Sequence, residues 1–174
     1  MFTTIMVPLD GTDFSESALP LLKKMISERS VKKVLLVRAV ASTPDMAVDT
    51  PLDPAIVAAA DAQNRTEAER YLQRIALQMP WNGAQYETAV LVGQVPDVLI
   101  DYATESRADL LVLSSHARGG ISRLIRGSLA TRMLQSVDMP ILLVGASGPR
   151  KRTLRFPHIE QVKREEQSSS RHAA

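Results

Sequence analysis

The stretch Ser114-Ser115-His116-Ala117-Arg118-Gly119-Gly120-Ile121-Ser122-Arg123-Leu124-Ile125-Arg126-Gly127-Ser128 carries the residue types of this chain best suited to chemistry. Small and hydroxyl-bearing residues alternate with three arginines. The segment leaves an apolar run, Leu110 to Leu113, and enters a helical pattern that starts at Ser128. A strand, a loop of small residues and a helix start make a natural anion seat. The first-turn N–H groups of the helix lack intrahelical partners, and its positive dipole end faces the loop. Gly127 lets the backbone approach a ligand closely, and Ser128 adds a hydroxyl. Arg118, Arg123 and Arg126 add positive charge, although any one of them reads equally well as a solvated surface arginine.

The common phosphate loops are excluded by spelling. A Walker loop needs Lys before its Ser or Thr, and Gly127 stands there. The dinucleotide fingerprint G-x-G-x-x-G is also absent, because Gly119-Gly120 has the wrong spacing. Other constellations are poor. His116, His158 and His172 are far apart and show no metal-ligand spacing. Ser115-His116 has no nucleophile-elbow setting. Glu165-Glu166 sits in a charged tail, where solvation explains it. With no cysteine there is no disulfide framework, thiolate nucleophile or Cys-type zinc site.

A second polar segment, Pro8-Leu9-Asp10-Gly11-Thr12-Asp13, follows the chain's first apolar run. Asp10 offers a carboxylate acceptor at a strand end; it reads also as a turn residue capping the next segment. Gly127 has the parallel reading of a loop glycine at positive φ, and Ser128 that of an N-cap without a ligand.

The elements that must position these segments alternate strand and helix, which predicts a parallel sheet with helices on both faces. Strands are expected at about 4–9, 33–39, 86–92, 109–113 and 141–144. A first helix is expected to follow Ser15 or Ser17, with Pro20 near its first turn. Helices are also expected at about 54–78, 95–106 and 128–136. The third strand-to-helix turn is Gly93-Gln94-Val95-Pro96. The long helix places Val57, Ala60, Ala68, Tyr71, Leu72 and Ile75 largely on one side. The last helix stacks Leu129, Met133, Leu134 and Val137 on one face.

Composition fits one domain. The 174 residues are 45% hydrophobic, enough for a single core. No apolar run approaches the ~20 residues of a membrane span, and Met1-Phe2-Thr3-Thr4 has no basic leader pattern. No membrane partner and a cytoplasmic location are therefore expected. From Ser147 onward the charge is +4, against +2 for the whole chain, so the basic character belongs to the tail. It gives no ground for a nucleic-acid partner. Residues 1–146 are expected to form the domain. Residues 147–174, poor in large apolar groups, form a flexible basic tail or order only against a partner chain.

Three segments together resemble the universal stress protein (UspA-like) family. The loop is similar to the pattern G-x2-G-x9-G-[ST] of its ATP-binding branch, with the four positions on Ser114, Ala117, Gly127 and Ser128. The last two match, and small residues replace the first two glycines. Ile5-Met6-Val7-Pro8-Leu9-Asp10-Gly11-Thr12 resembles the family's opening strand and acidic turn. Gly93 to Ile100, with Ala108-Asp109, resembles its third turn, third helix and fourth strand. The resemblance spans about residues 1–145.

The resemblance implies a doubly wound five-stranded parallel sheet in the order 3-2-1-4-5. Ligands in such sheets bind where the strand order reverses, outside the strands' carboxyl ends. That crevice would gather Pro8–Thr12 and Ser114–Ser128, the two polar segments found by spelling. Pro8, Leu9 and Asp10 would lie against an adenosine, and Ala39 would offer backbone groups to its base. Phosphates would rest at Ala117, Gly127, Ser128 and Leu129, with Ser114, Ser115, His116 and Arg118 completing the loop. The ligand implied is ATP, or ADP or AMP, with Mg²⁺ held through the phosphates and no protein metal ligands. The implied protein is a nucleotide-responsive module rather than an enzyme, with slow ATP hydrolysis or nucleotidyl transfer as the lesser alternative. It would pair as a homodimer through Ile141–Val144. The family's other branch, the same fold as a dimer without nucleotide, is the alternative.

Overall fold

The computed structural model describes residues 2–28, 31–41, 53–115 and 128–145. Its elements run β1 (Thr4–Pro8), α1 (Asp13–Glu16), α2 (Leu19–Ser27), β2 (Lys33–Val40), α3 (Pro54–Leu77), β3 (Gln85–Val92), α4 (Val95–Glu105), β4 (Leu110–Ser115), α5 (Ser128–Ser136) and β5 (Ile141–Gly145). All strand pairs are parallel, and the sheet order is β3-β2-β1-β4-β5, as expected. The tail beyond residue 145 and the loop from His116 to Gly127 lie outside the described residues.

The strands alternate their side chains between two cores. Ile5, Val7, Val34, Leu36, Leu110 and Val112 face one layer and pack with Leu22, Ile26, Leu72 and Ile75 of α2 and α3. Met6, Leu35, Val37, Leu111 and Leu113 face the other, against Leu99, Ala103 and Met133 of α4 and α5. Burial on both faces explains why the central strands read as unbroken apolar runs.

Two details differ from the sequence reading. A single first helix after Ser15 or Ser17 is replaced by a one-turn α1, capped by Thr12, and a separate α2 beginning at Leu19. Neither serine is an N-cap: Ser15 lies inside α1 and Ser17 is its C-cap. Pro20 falls in the first turn of α2, where its missing N–H breaks no helical bond. In α5, Met133 is fully buried but Leu134 turns outward and is 44% exposed, so Leu134 leaves the expected apolar face.

Candidate functional site

The strand order reverses between β1, which leads back to β2, and β4, which leads on to β5. At the carboxyl end of β1 the ladder extends by one bond, from the Leu9 N–H to the Val37 carbonyl at 2.8 Å. The chain then turns sharply. Gly11 has φ +89°, a conformation that an L side chain adopts only with strain. A Cβ at that position would stand 3.1 Å from an Arg38 guanidinium nitrogen. Thr12 caps α1 by accepting the Ser15 N–H at 3.2 Å.

Asp10 is fixed by this turn. Its Oδ1 accepts from the Thr12 N–H at 2.9 Å and the Thr12 hydroxyl at 2.6 Å. Its own N–H donates to Ser15 Oγ at 3.2 Å, and Ser15 donates to the Thr12 carbonyl at 2.9 Å. Partial burial pulls the Asp10 carboxyl upward. The Thr12 hydroxyl and N–H, with Ser15, outweigh that pull and hold it below the usual carboxylate range. The turn reading of Asp10 is thus realised on Oδ1, while both Thr12 bonds leave Oδ2 aside.

Ala39 lies two residues beyond Val37 on β2. In a parallel ladder a residue's N–H and C=O point to the same neighbour, and alternate residues point the same way. Val37 bonds toward β1, and Val40 bonds outward to the Gly93 N–H of the β3–α4 turn. Ala39 therefore turns its N–H and C=O toward the β1 side, past the point where β1 has ended.

A cavity of about 100 Å³ opens here. It is lined by Pro8, Leu9, Asp10, Phe14, Ser15, Ala39, Val95, Leu99, Leu113, Ser114 and Leu129. Six of the twelve residues expected from the sequence, Pro8, Leu9, Asp10, Ala39, Ser114 and Leu129, meet in it. Ser115 ends β4 and Ser128 begins α5, so their backbones flank the cavity's mouth in sequence. His116, Ala117, Arg118 and Gly127 lie outside the described residues. The cavity is mostly apolar and far smaller than the 300–1,000 Å³ of a drug-sized ligand site.

Sequence reasoning missed Phe14, Ser15, Val95, Leu99 and Leu113 as lining residues. The four apolar ones read by their spacing as helix or strand core, and Ser15 reads as a helix-start residue. Val95 was within reach, because it belongs to the Gly93-Gln94-Val95-Pro96 turn. Gly93 has φ +139°, and a Cβ there would come within 2.8 Å of Val98. Only glycine lets α4 start close enough to the sheet to bring Val95 and Leu99 to the cavity.

A second hollow, about 910 Å³, runs along the outer face of α3 against Thr88 and Val90. It is a broad surface groove lined by Arg65, Arg70 and Gln73, distant from the switch point, and it carries no convergent set of groups. Among the described residues no cluster of three His, Asp or Glu could hold a metal ion. No described helix is long and apolar enough to cross a membrane.

Comparison with known proteins matches the geometry. The chain is 23% identical over 144 residues to universal stress protein MJ0531 of Methanocaldococcus jannaschii, covering 83% of this chain and 82% of that protein. Its fold superposes on the structure of hypothetical protein MJ0577 with a TM-score of 0.69 at 17% identity, covering 86% and 99% of the two chains. It also superposes on a universal stress protein family member from Arabidopsis thaliana with AMP bound, at a TM-score of 0.60 and 16% identity over 84% and 93%. The family model for universal stress proteins matches residues 1–145, the whole of the sheet and its helices, and the chain belongs to the universal stress protein family.

Proposed function

We propose that this protein binds an adenine nucleotide, ATP with Mg²⁺ bridging its phosphates, and works as a nucleotide-responsive regulatory module rather than an enzyme. The observation that carries the reading is the convergence, in one cavity at the switch point, of Pro8, Leu9, Asp10, Ala39, Ser114 and Leu129. The adenine ring fits the apolar slot between Val95, Leu99 and Leu129. The N–H and C=O of Ala39, turned to the β1 side beyond the end of that strand, suit a base edge that offers one acceptor and one donor. Asp10 Oδ2 accepts from a ribose hydroxyl, which its lowered pKa keeps available in the ionised form. The phosphates are proposed to sit at the amino end of α5, at Ser128 and Leu129, with Gly127, Ala117 and Arg118 as the loop residues that the family pattern would bring to them. The AMP complex of a family member supports the ligand class.

The proposed assembly is a homodimer through Ile141–Val144. β5 is an edge strand of the sheet, short and uncharged, the kind of edge that pairs across a two-fold axis. The tail from residue 147 is proposed to lie outside the folded domain, and the protein to act in the cytoplasm.

Calorimetry with Mg-ATP on the unmodified protein tests the reading, together with mass spectrometry of any nucleotide that copurifies. Micromolar binding lost in Gly127→Val supports it, since a branched side chain there fills the phosphate space. No heat up to millimolar Mg-ATP, with no rescue by Ala117→Gly, assigns the chain to the nucleotide-free dimeric branch.

A further inference from the structure

Ser114 stands where the family's loop pattern has its first glycine. A glycine there would be required if the backbone were left-handed, but the only described non-glycine residues with positive φ are Asn82 and Arg107. Ser114 thus occupies an ordinary strand conformation at the carboxyl end of β4, and its side chain is free to take a role.

That role is set by three short contacts. Ser114 Oγ lies 2.9 Å from the Ser15 carbonyl and 3.0 Å from Ser17 Oγ. Ser17 Oγ is also 2.7 Å from the Phe14 carbonyl. Each hydroxyl has a single proton to donate, which limits the arrangement. The Phe14 carbonyl already accepts the Ser17 N–H at 3.1 Å. The Ser15 carbonyl otherwise holds a long bond, 3.4 Å, from the Ala18 N–H and shares the Ser17 N–H with the Phe14 carbonyl. The shortest contact takes the Ser17 proton: the Ser17 hydroxyl donates to the Phe14 carbonyl at 2.7 Å, and the Ser114 hydroxyl donates to the Ser15 carbonyl at 2.9 Å with Ser17 Oγ beside it. Helix α1 is a single turn, so its terminal carbonyls have few partners of their own.

Through Ser15 this bridge joins the bonds that fix Asp10. Ser15 Oγ receives the Asp10 N–H and Ser15 N–H is capped by Thr12, which also holds Asp10 Oδ1. A continuous polar chain therefore crosses the switch point, from the carboxylate after β1 to the end of β4. With glycine at position 114, the hydroxyl contacts from Ser15 and Ser17 to β4 would be lost.

We propose that Ser114 is a positioning residue. Its hydroxyl locks the Asp10–Ser17 turn onto β4 and holds the two sides of the cleft at the spacing a nucleotide requires. The replacement of glycine by serine is thus a strut that this chain uses, rather than a decayed loop. The proposal rests on the adenine-nucleotide reading for its ligand, but not for the lock itself.

Amide hydrogen exchange on the ligand-free full chain tests the lock, and Mg-ATP calorimetry tests its consequence. In Ser114→Ala the amides of Glu16 and Ala18 should exchange about 5-fold faster or more, while those of the buried strand β1 keep their rates. Ser17→Ala, which removes the neighbour of Ser114 Oγ and the contact to the Phe14 carbonyl, should give a smaller change of the same kind. Mg-ATP affinity should fall about 3–10-fold in Ser114→Ala, and the double variant should bind no more weakly than Ser114→Ala alone. Unchanged exchange at Glu16 and Ala18 overturns the lock. Faster exchange with unaltered affinity overturns the positioning role, and so do additive losses in the double variant. If the unmodified protein takes no Mg-ATP, the nucleotide reading and the positioning role fall together, and the exchange data alone decide the lock.

Discussion

Strands β1 and β4 lie side by side at the centre of the sheet, and an aspartate stands at each end of their seam. Asp109, at the amino end, accepts from the Thr3 N–H at 2.7 Å and the Thr3 hydroxyl at 2.8 Å on one oxygen. Its other oxygen takes the Thr4 N–H at 3.0 Å. Its own N–H completes the ladder to the Thr4 carbonyl at 2.9 Å. Asp10, at the carboxyl end, gives both of its Thr12 contacts to one oxygen, and the residue lines the cavity. Both carboxyls are pulled upward by burial and more strongly downward by hydrogen bonds, so both titrate below the ordinary range. The same group in the same pair of strands closes the fold at one end and keeps acceptor capacity at the other. A lowered pKa alone does not tell a site from a brace; the count of unused lone pairs does.

The largest effect is expected at the brace. Asp109→Ala removes an ionised acceptor from three donors near the strand starts. It should cost about 2–3 kcal/mol, already discounted for partial exposure, and lower the melting temperature by roughly 5–10 °C. Mg-ATP affinity of the folded variant should match the unmodified protein. A large affinity loss with little change in melting would invert the assignment of the two ends.

At the other end the expected effects exchange places. Asp10→Ala should weaken Mg-ATP binding by about 1–3 kcal/mol, read by calorimetry, because a charged acceptor for the sugar is lost. Its melting temperature should fall by less than that of Asp109→Ala, since Thr12 can turn its donors to water. Equal stability losses in the two variants would show that Asp10 is only a turn residue.

Acid sharpens the contrast further. A carboxyl with a depressed folded pKa contributes stability that is present above its unfolded value, about 3.9, and lost as pH falls through the lower folded value. The melting temperature of the unmodified protein should therefore hold down to about pH 4 and fall below it. The gap between it and Asp109→Ala should narrow over that same window, as followed by thermal melts from pH 7 to pH 2.5. A gap that stays constant would mean the Thr3 and Thr4 bonds do not depend on ionisation.

How much of this was open to sequence reading follows from where the information lies. Central strands are buried on both faces, so Ile5–Val7, Val34–Val37 and Leu110–Leu113 announced themselves as apolar runs, and their order followed from the family resemblance. Asp10, Ala39 and Leu129 could be named because each stands at an element end that the topology must bring to the switch point. The α1–α2 break was not legible: Thr12, Ser15 and Ser17 are equally competent caps on paper, and only three-dimensional partners decide among them. The role of Ser114 was hidden for the same reason, since its bonds reach nearly a hundred residues back to Ser15 and Ser17. Phe14, Val95 and Leu99 were passed over because an apolar residue that floors a cavity has the same spelling as one that fills a core.

The smallest effect is expected just beneath the cleft, at Tyr71 of α3. Its ring is 8% exposed, and Arg38 and Arg74 lie over it at 5.1 and 5.3 Å from the centroid. Burial first, then the charge of Glu16, pushes its hydroxyl pKa up to about 12, so it remains a neutral donor. The hydroxyl oxygen is buried, and Ser15 and Glu16 beside it offer it at most weak, poorly aligned hydrogen bonds. A buried polar group without a well-aligned partner has already lost its hydration, so removing it relieves that cost. Tyr71→Phe should be neutral or stabilising by up to about 1 kcal/mol, and it keeps the ring between the two arginines. Mg-ATP affinity should not change, because the turn that carries Asp10 is held by Thr12, Ser15 and Ser114 from above. A drop in melting temperature, together with weaker binding, would mean that Tyr71 braces the Ser15–Glu16 turn from below and that the carboxyl end of the seam has a second support.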